Sequence, residues 1–228
     1  GTPSTQDEMF IRFSNQEDIN TYQPTAVNTA GTQRLADGSK IVGAVRGRDA
    51  IYVWTDTSLF TMRFIGQPFT FGFQQVGTNC GLIGQNAALE VDGAAYWMSE
   101  NGFFKYSGNL ETMICLVEDF VFDDLNTTAN QLINVGLNNL FGEITWFYCT
   151  EISTVINRCV TYNYLDSRPN RPVWTTGTLA LEHGKIQLCL VYHTQLVLLQ
   201  TMMHHLMLLV ILKEAQYTLN MKKERMKH

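Results

Sequence analysis

One pattern stated twice restricts the fold of this chain more than any other feature. RDAIYVWTDTSLFTMRFIG (Arg48 to Gly66) is followed by EVDGAAYWMSENGFFKYSG (Glu90 to Gly108). In each copy an Asp precedes an apolar and aromatic run ending in Trp (Trp54, Trp97). Polar or small residues follow, a Phe stands six places after the Trp (Phe60, Phe103), and a Gly closes the unit. β-Branched and aromatic residues favour a pleated, half-buried surface, and Asp-Thr-Ser and Ser-Glu-Asn-Gly supply turn chemistry, so each copy predicts strand, tight turn, strand. The two Trp are 43 residues apart, and Trp146 in EITWFYC lies 49 further on. Periods of about 40 to 50 residues with a few strands each predict an all-β chain, a partial β-propeller of about three blades of antiparallel strands.

Around this centre the chain divides into three stretches. Residues 1–47 form an N-terminal lead-in: a loop, a short strand at Phe10 to Phe13, a polar stretch rich in Asn, Thr and Gln, and an apolar run at Lys40 to Val45. Residues 48–180 carry the blades. Phe69, Phe71 and Phe73 alternate and predict a strand with one aromatic face. Another strand is predicted at Met113 to Val117, a short amphipathic or 3₁₀ segment at Phe120 to Leu125, then a linker into the Trp146 strand. Val155 to Tyr164 alternates, and a Pro-Asn turn leads to a strand at Trp174. Residues 181–228 differ in composition. All five His lie there, as do five of nine Met, but no Asp, Ser, Pro, Phe or Trp.

Charge and cysteine usage exclude several classes. Residues 1–180 hold ten basic and eighteen acidic side chains, a net charge of −8, which lacks the basic footprint of a nucleic-acid or anionic-membrane binder. Cys80, Cys115, Cys149 and Cys159 show neither C-x-x-C spacing nor the density of a disulfide scaffold, and are expected to be buried free thiols made in a reducing compartment. GTPSTQDEMF has no apolar signal segment. The chain does not start with Met and is expected to be a piece of something longer.

Candidate chemistry is sparse, and no residue is assigned a catalytic, cofactor-binding or metal-binding role. With no His before residue 183, neither a Cys-His pair nor a Ser-His-Asp triad can be built in the body. Glu17 and Asp18 read as solvated loop carboxylates. Gly77, Gly81 and Gly84 are not followed by Lys-Ser or Lys-Thr, so they read as turn glycines and not a phosphate cradle. Asp119, Asp123 and Asp124 lack the spaced oxygen ligands of a calcium loop. Asn126-Thr127-Thr128 matches a glycosylation sequon in a chain without a secretory signal. Trp54, Trp97 and Tyr106 could stack on sugars if exposed, whereas aromatics on repeat strands belong more often to a core.

FSNQEDINTYQPTAVNTAGTQRL (Phe13 to Leu35), WTDTSLFTMRFIG (Trp54 to Gly66), the run from Phe69 to Gly108, and VFDDLN (Val121 to Asn126) resemble a family of tailed-phage virion proteins. These are described as tail nozzle, tail tubular or packaged-DNA stabilisation proteins. The resemblance covers about residues 10–180, with Phe13 standing where the family would have Trp. It implies a β-propeller subunit in the virion tail, made in the bacterial host cytoplasm. It also implies partners: further copies in a ring, portal, adaptor or other tail proteins, and double-stranded DNA passing without specific binding. Neither catalysis, cofactor nor membrane belongs to that role. The rival expectation is a carbohydrate-binding or glycan-cleaving propeller acting on host polysaccharide.

The tail departs from this picture. TQLVLLQTMMHHLMLLVILK predicts an apolar helix whose uninterrupted runs are too short for a membrane span, with His204 and His205 pointing in different directions. A frame-shifted translation explains its composition better. One base out of frame, Met202-Met203 must give Asp, Met203-His204 must give Ala and Met221-Lys222 must give Glu. Permitted choices elsewhere restore Gly, Ser, Pro, Phe and Trp.

Overall fold

The computed structural model describes residues 7–66, 68–182 and 185–188. The chain divides into two compact units, Gly1–Thr178 and Leu179–His228. The predicted helical tail, the His204-His205 pair and most of the frame-shifted stretch lie outside the described residues.

The first unit opens with a hairpin of β1 (Phe10–Phe13) and β2 (Gly31–Arg34). Three antiparallel meanders follow in chain order. Sheet 1 runs β3 (Ile41–Arg46), β4 (Ile51–Thr55), β5 (Ser58–Gly66) and β6 (Thr70–Thr78). Sheet 2 runs β7 (Ala88–Val91), β8 (Ala94–Ser99), β9 (Gly102–Tyr106) and β10 (Leu110–Met113). A short helix α1 (Glu118–Phe122) and a 3₁₀ segment (Thr127–Leu132) lead to sheet 3, with β11 (Asn134–Asn138), β12 (Glu143–Tyr148), β13 (Arg158–Asn163) and β14 (Trp174–Glu182). In the second unit, Leu179 to Glu182 of β14 pair antiparallel with β15 (Lys185–Leu188). The chain is thus mostly β, in four antiparallel sheets, and none of them closes on itself among the described residues.

Side-chain alternation explains how the meanders pack. A strand that is apolar on both faces has to be covered on both. Every residue of β8, AAYWMS, is buried. On one face of sheet 2, Trp97 meets Trp54 at 5.3 Å between ring centroids, and Tyr106 meets Tyr52 at 5.6 Å. On its other face Phe103 meets Trp146 at 4.9 Å, and Tyr96 meets Tyr162 at 6.2 Å. Sheet 2 is therefore the middle layer. Edge and tilted ring pairs of this kind contribute about 0.5–1.5 kcal/mol each beyond the area they bury.

The outer face of sheet 1 is covered by the lead-in. Val53 and Phe60 form a second buried cluster with Met9 and Leu35. A partial propeller would expose a torn core, but on this side the polar N-terminal stretch supplies the lid.

Several sequence expectations shift. The strand predicted at Met113 to Val117 ends at Met113, where Ile114 and Leu116 turn outward as exposed apolar residues. The predicted linker before Trp146 contains β11, a whole strand, paired along its length with β12. The helical segment expected at Phe120 to Leu125 begins earlier, at Glu118.

The matched Trp residues are also out of phase. In the first hairpin Trp54 pairs with Leu59, and Val53 with Phe60. In the second, Met98 pairs with Phe103, and Trp97 with Phe104. Measured from the turn, Trp54 occupies the place of Met98, and Val53 that of Trp97. A one-residue offset moves a side chain to the opposite face. The two Trp therefore face each other across the interface instead of pointing the same way along the stack. Trp97 and Trp146, in contrast, both point back toward the preceding sheet.

Candidate functional site

The side chains singled out in the sequence do not converge. Trp54 and Trp97 are wholly inaccessible and Tyr106 is buried, so the rings named as possible sugar platforms belong to the interface between sheets 1 and 2. Asp18 accepts hydrogen bonds from the Thr21 hydroxyl at 2.6 Å and the Asn20 amide at 3.0 Å, and these contacts lower its pKa while holding a surface turn. Asp119 and Asp123 are exposed, whereas Asp124 forms an ion pair with Arg158 at 3.3 Å. The Arg158 guanidinium also lies 4.6 Å from the Phe120 ring centroid, which ties α1 to β13. Among the described residues no three His, Cys, Asp or Glu side chains converge as metal ligands. Asn126 caps the 3₁₀ segment, accepting from the Thr128 amide at 3.0 Å and donating to the Ser153 carbonyl at 2.8 Å.

The four body cysteines are free and buried. Burial pushes the thiols of Cys80, Cys115 and Cys159 up to about 11, so they remain protonated and poorly nucleophilic at neutral pH. No described helix is long and apolar enough to cross a membrane.

Gly81 and Gly84 have a reason other than turn chemistry. A Cβ on Gly81 would meet the Asp56 carbonyl oxygen at 2.0 Å, and one on Gly84 would meet the Asn130 carbonyl oxygen at 2.2 Å. They let the connector from sheet 1 to sheet 2 press against neighbouring backbone.

A groove of about 480 Å³ lies in the first unit where sheet 2 meets sheet 3. Its wall on sheet 2 follows from register: Tyr96 on β8 pairs with Lys105 on β9, and Lys105 with Glu111 on β10, so the three share one face. Opposite stand Tyr162 on β13, Tyr164 and the turn bearing Arg168. That turn is pinned by reciprocal backbone bonds between Arg168 and Arg171, at 3.1 and 2.9 Å. One Arg168 nitrogen, Nη1, donates to the carbonyls of Leu165 and Ser167, each at 3.1 Å.

The electrostatics of this groove differ from those of the acidic body. Lys105 and Glu111 do not ion-pair, and the Lys105 ammonium lies instead 5.9 Å from the Tyr96 ring centroid. Burial, then the nearby Tyr162 and Tyr164, push Tyr96 up to about 12, so its phenol keeps its proton at neutral pH. The sequence did not single out this set. The available signal was a Lys inside the apolar run Phe103 to Tyr106, with Tyr162 and Tyr164 alternating on a later strand.

A scan against models of known protein families finds no match, and a search of curated proteins likewise finds none.

Proposed function

We propose that the chain is a structural subunit of a bacteriophage virion, part of the tail nozzle or portal-proximal plug that retains packaged DNA and conducts it during ejection. The observation that carries this reading is the succession of meanders packed face to face in chain order through aromatic side chains. It stands beside the resemblance of residues 10–180 to tail proteins. In this reading each meander is a propeller blade. Propellers close with about four to eight blades, so three call for further blades from elsewhere and for a ring of copies docked on portal or adaptor proteins.

The charge of the body fits a conduit. A net −8 over residues 1–180 repels phosphates, so DNA slides past without sticking, where a basic lining would hold it. Mass spectrometry of purified virions, with antibody labelling against the β-rich unit, tests the proposal. Peptides and label at the tail support it. Absence from the particle, with a gene far from portal and tail genes, overturns it. Strong, salt-sensitive binding of duplex DNA by the isolated chain would overturn the conduit mechanism.

A further inference from the structure

We infer that the groove between sheets 2 and 3 is a binding site for an acidic saccharide, a pyranoside unit carrying a carboxylate, held by Lys105, Arg168 and the hydroxyls of Tyr96, Tyr162 and Tyr164. This goes beyond the structural role proposed above and does not depend on it.

Size and shape come first. At about 480 Å³ the groove falls within the range of about 300–1,000 Å³ typical of small-ligand sites, and two of its three tyrosines, Tyr96 and Tyr162, stand on strands β8 and β13. Tyr162 is braced by Trp174 at 4.8 Å and Tyr96 at 6.2 Å, so the floor is built before any ligand arrives.

The polar groups then define the class. None of the three phenol hydroxyls hydrogen-bonds to another described residue, which leaves each free to donate to, or accept from, a ligand hydroxyl. Lys105 and Arg168 give two cations against the single carboxylate of Glu111. The excess of donors and positive charge suits one ligand carboxylate, while Glu111 accepts from sugar hydroxyls.

A nucleotide would offer an anion as well, but it needs a ring face to stack on. The Tyr96 ring already carries the Lys105 ammonium at 5.9 Å and Tyr164 at 6.4 Å, and Tyr162 packs on Trp174 at 4.8 Å. Three phenol hydroxyls beside two cations favour a polyhydroxylated acid over a planar base.

Calorimetric titration of the full chain tests this, using a glucuronate-containing disaccharide, a neutral disaccharide of the same size and a mononucleotide. The expected result is saturable binding of the acidic disaccharide, at least about tenfold tighter than the neutral one, because a charge-assisted contact is lost. Lys105→Met is expected to weaken it about tenfold, and Tyr164→Phe to weaken it while keeping the ring contact with Tyr96. Far-UV circular dichroism of both variants should match the parent. Equal affinity for acidic and neutral sugars, tighter binding of the nucleotide, no saturation by any sugar, or full affinity in Lys105→Met would each overturn the inference.

Discussion

Trp97 donates its indole N–H to the Cys80 carbonyl at 2.8 Å, and Trp146 donates to the Ala87 carbonyl at 2.9 Å. Trp54 is equally buried, yet its indole nitrogen has no partner among the described residues. The three therefore differ in one respect that a substitution isolates. Changing Trp to Phe removes a similar volume at each site, but at position 97 it also strands the buried Cys80 carbonyl, which costs about 1–3 kcal/mol, whereas at position 146 the Ala87 carbonyl still accepts from the Met98 amide at 3.2 Å. Urea denaturation should show Trp97→Phe destabilised by that margin more than Trp54→Phe. Equal losses at positions 54 and 97 would mean that the Trp97 hydrogen bond contributes nothing. A second expectation concerns alkali. Cys80, Cys115 and Cys159 are raised from 9.0 to about 11, and Tyr96 and Tyr148 from 10.0 to about 12, in each case chiefly by burial. Folded, these groups hold their protons more tightly than unfolded, so above about pH 9 the unfolded chain binds fewer protons. Stability should then fall as pH rises from about 9 to about 12, with no contribution from these groups below that window. A midpoint of chemical denaturation that stays constant across it would contradict the burial of these residues.

Among the elements, the connector between sheets 1 and 2 tolerates little change. Gly81→Ala and Gly84→Ala drive a methyl into a backbone carbonyl, and overpacking of this kind costs about 1–3 kcal/mol or more. Both variants should melt lower than the parent in a thermal scan. An unchanged melting temperature would show that the connector can shift at no cost. The hairpins of sheets 1 and 2 were legible in the sequence because turn residues and apolar alternation point to the same element. β11 was not, since NVGLN carries Asn and Gly that favour turns, and its strand state comes from pairing with β12, a tertiary effect that local composition cannot report. Ile114 and Leu116 misled in the opposite direction: as apolar residues at alternating positions they extend β10 on paper, yet both are exposed.

Over the whole molecule, the pattern of three packed meanders was visible in the spacing of Trp54, Trp97 and Trp146. The groove was not, because it is assembled from β8, β9, β10, β13 and a distant turn that only the packing of sheets brings together. The covering of sheet 1 was hidden as well. Met9 borders the short Phe10–Phe13 strand and Leu35 follows the polar β2, and only their burial against Val53 and Phe60 reveals what they do. The long β5–β6 hairpin ends in a tip where Phe64 and Phe69 are each 72% exposed and Ile65 is 57% exposed. Apolar side chains grouped at an exposed tip favour association. Phe64→Ser with Phe69→Ser should reduce self-association in analytical ultracentrifugation while leaving the denaturation midpoint nearly unchanged. If the double variant associates as strongly as the parent, the contact lies elsewhere. The offset between the first two hairpins also bears on grafting. A chimaera that copies the second hairpin into the first must superpose Met98 on Trp54. Matched tryptophan to tryptophan, the transplanted segment would be inserted inside out, with Tyr96 and Phe103 turned under the N-terminal lid and Trp97 and Phe104 against sheet 2.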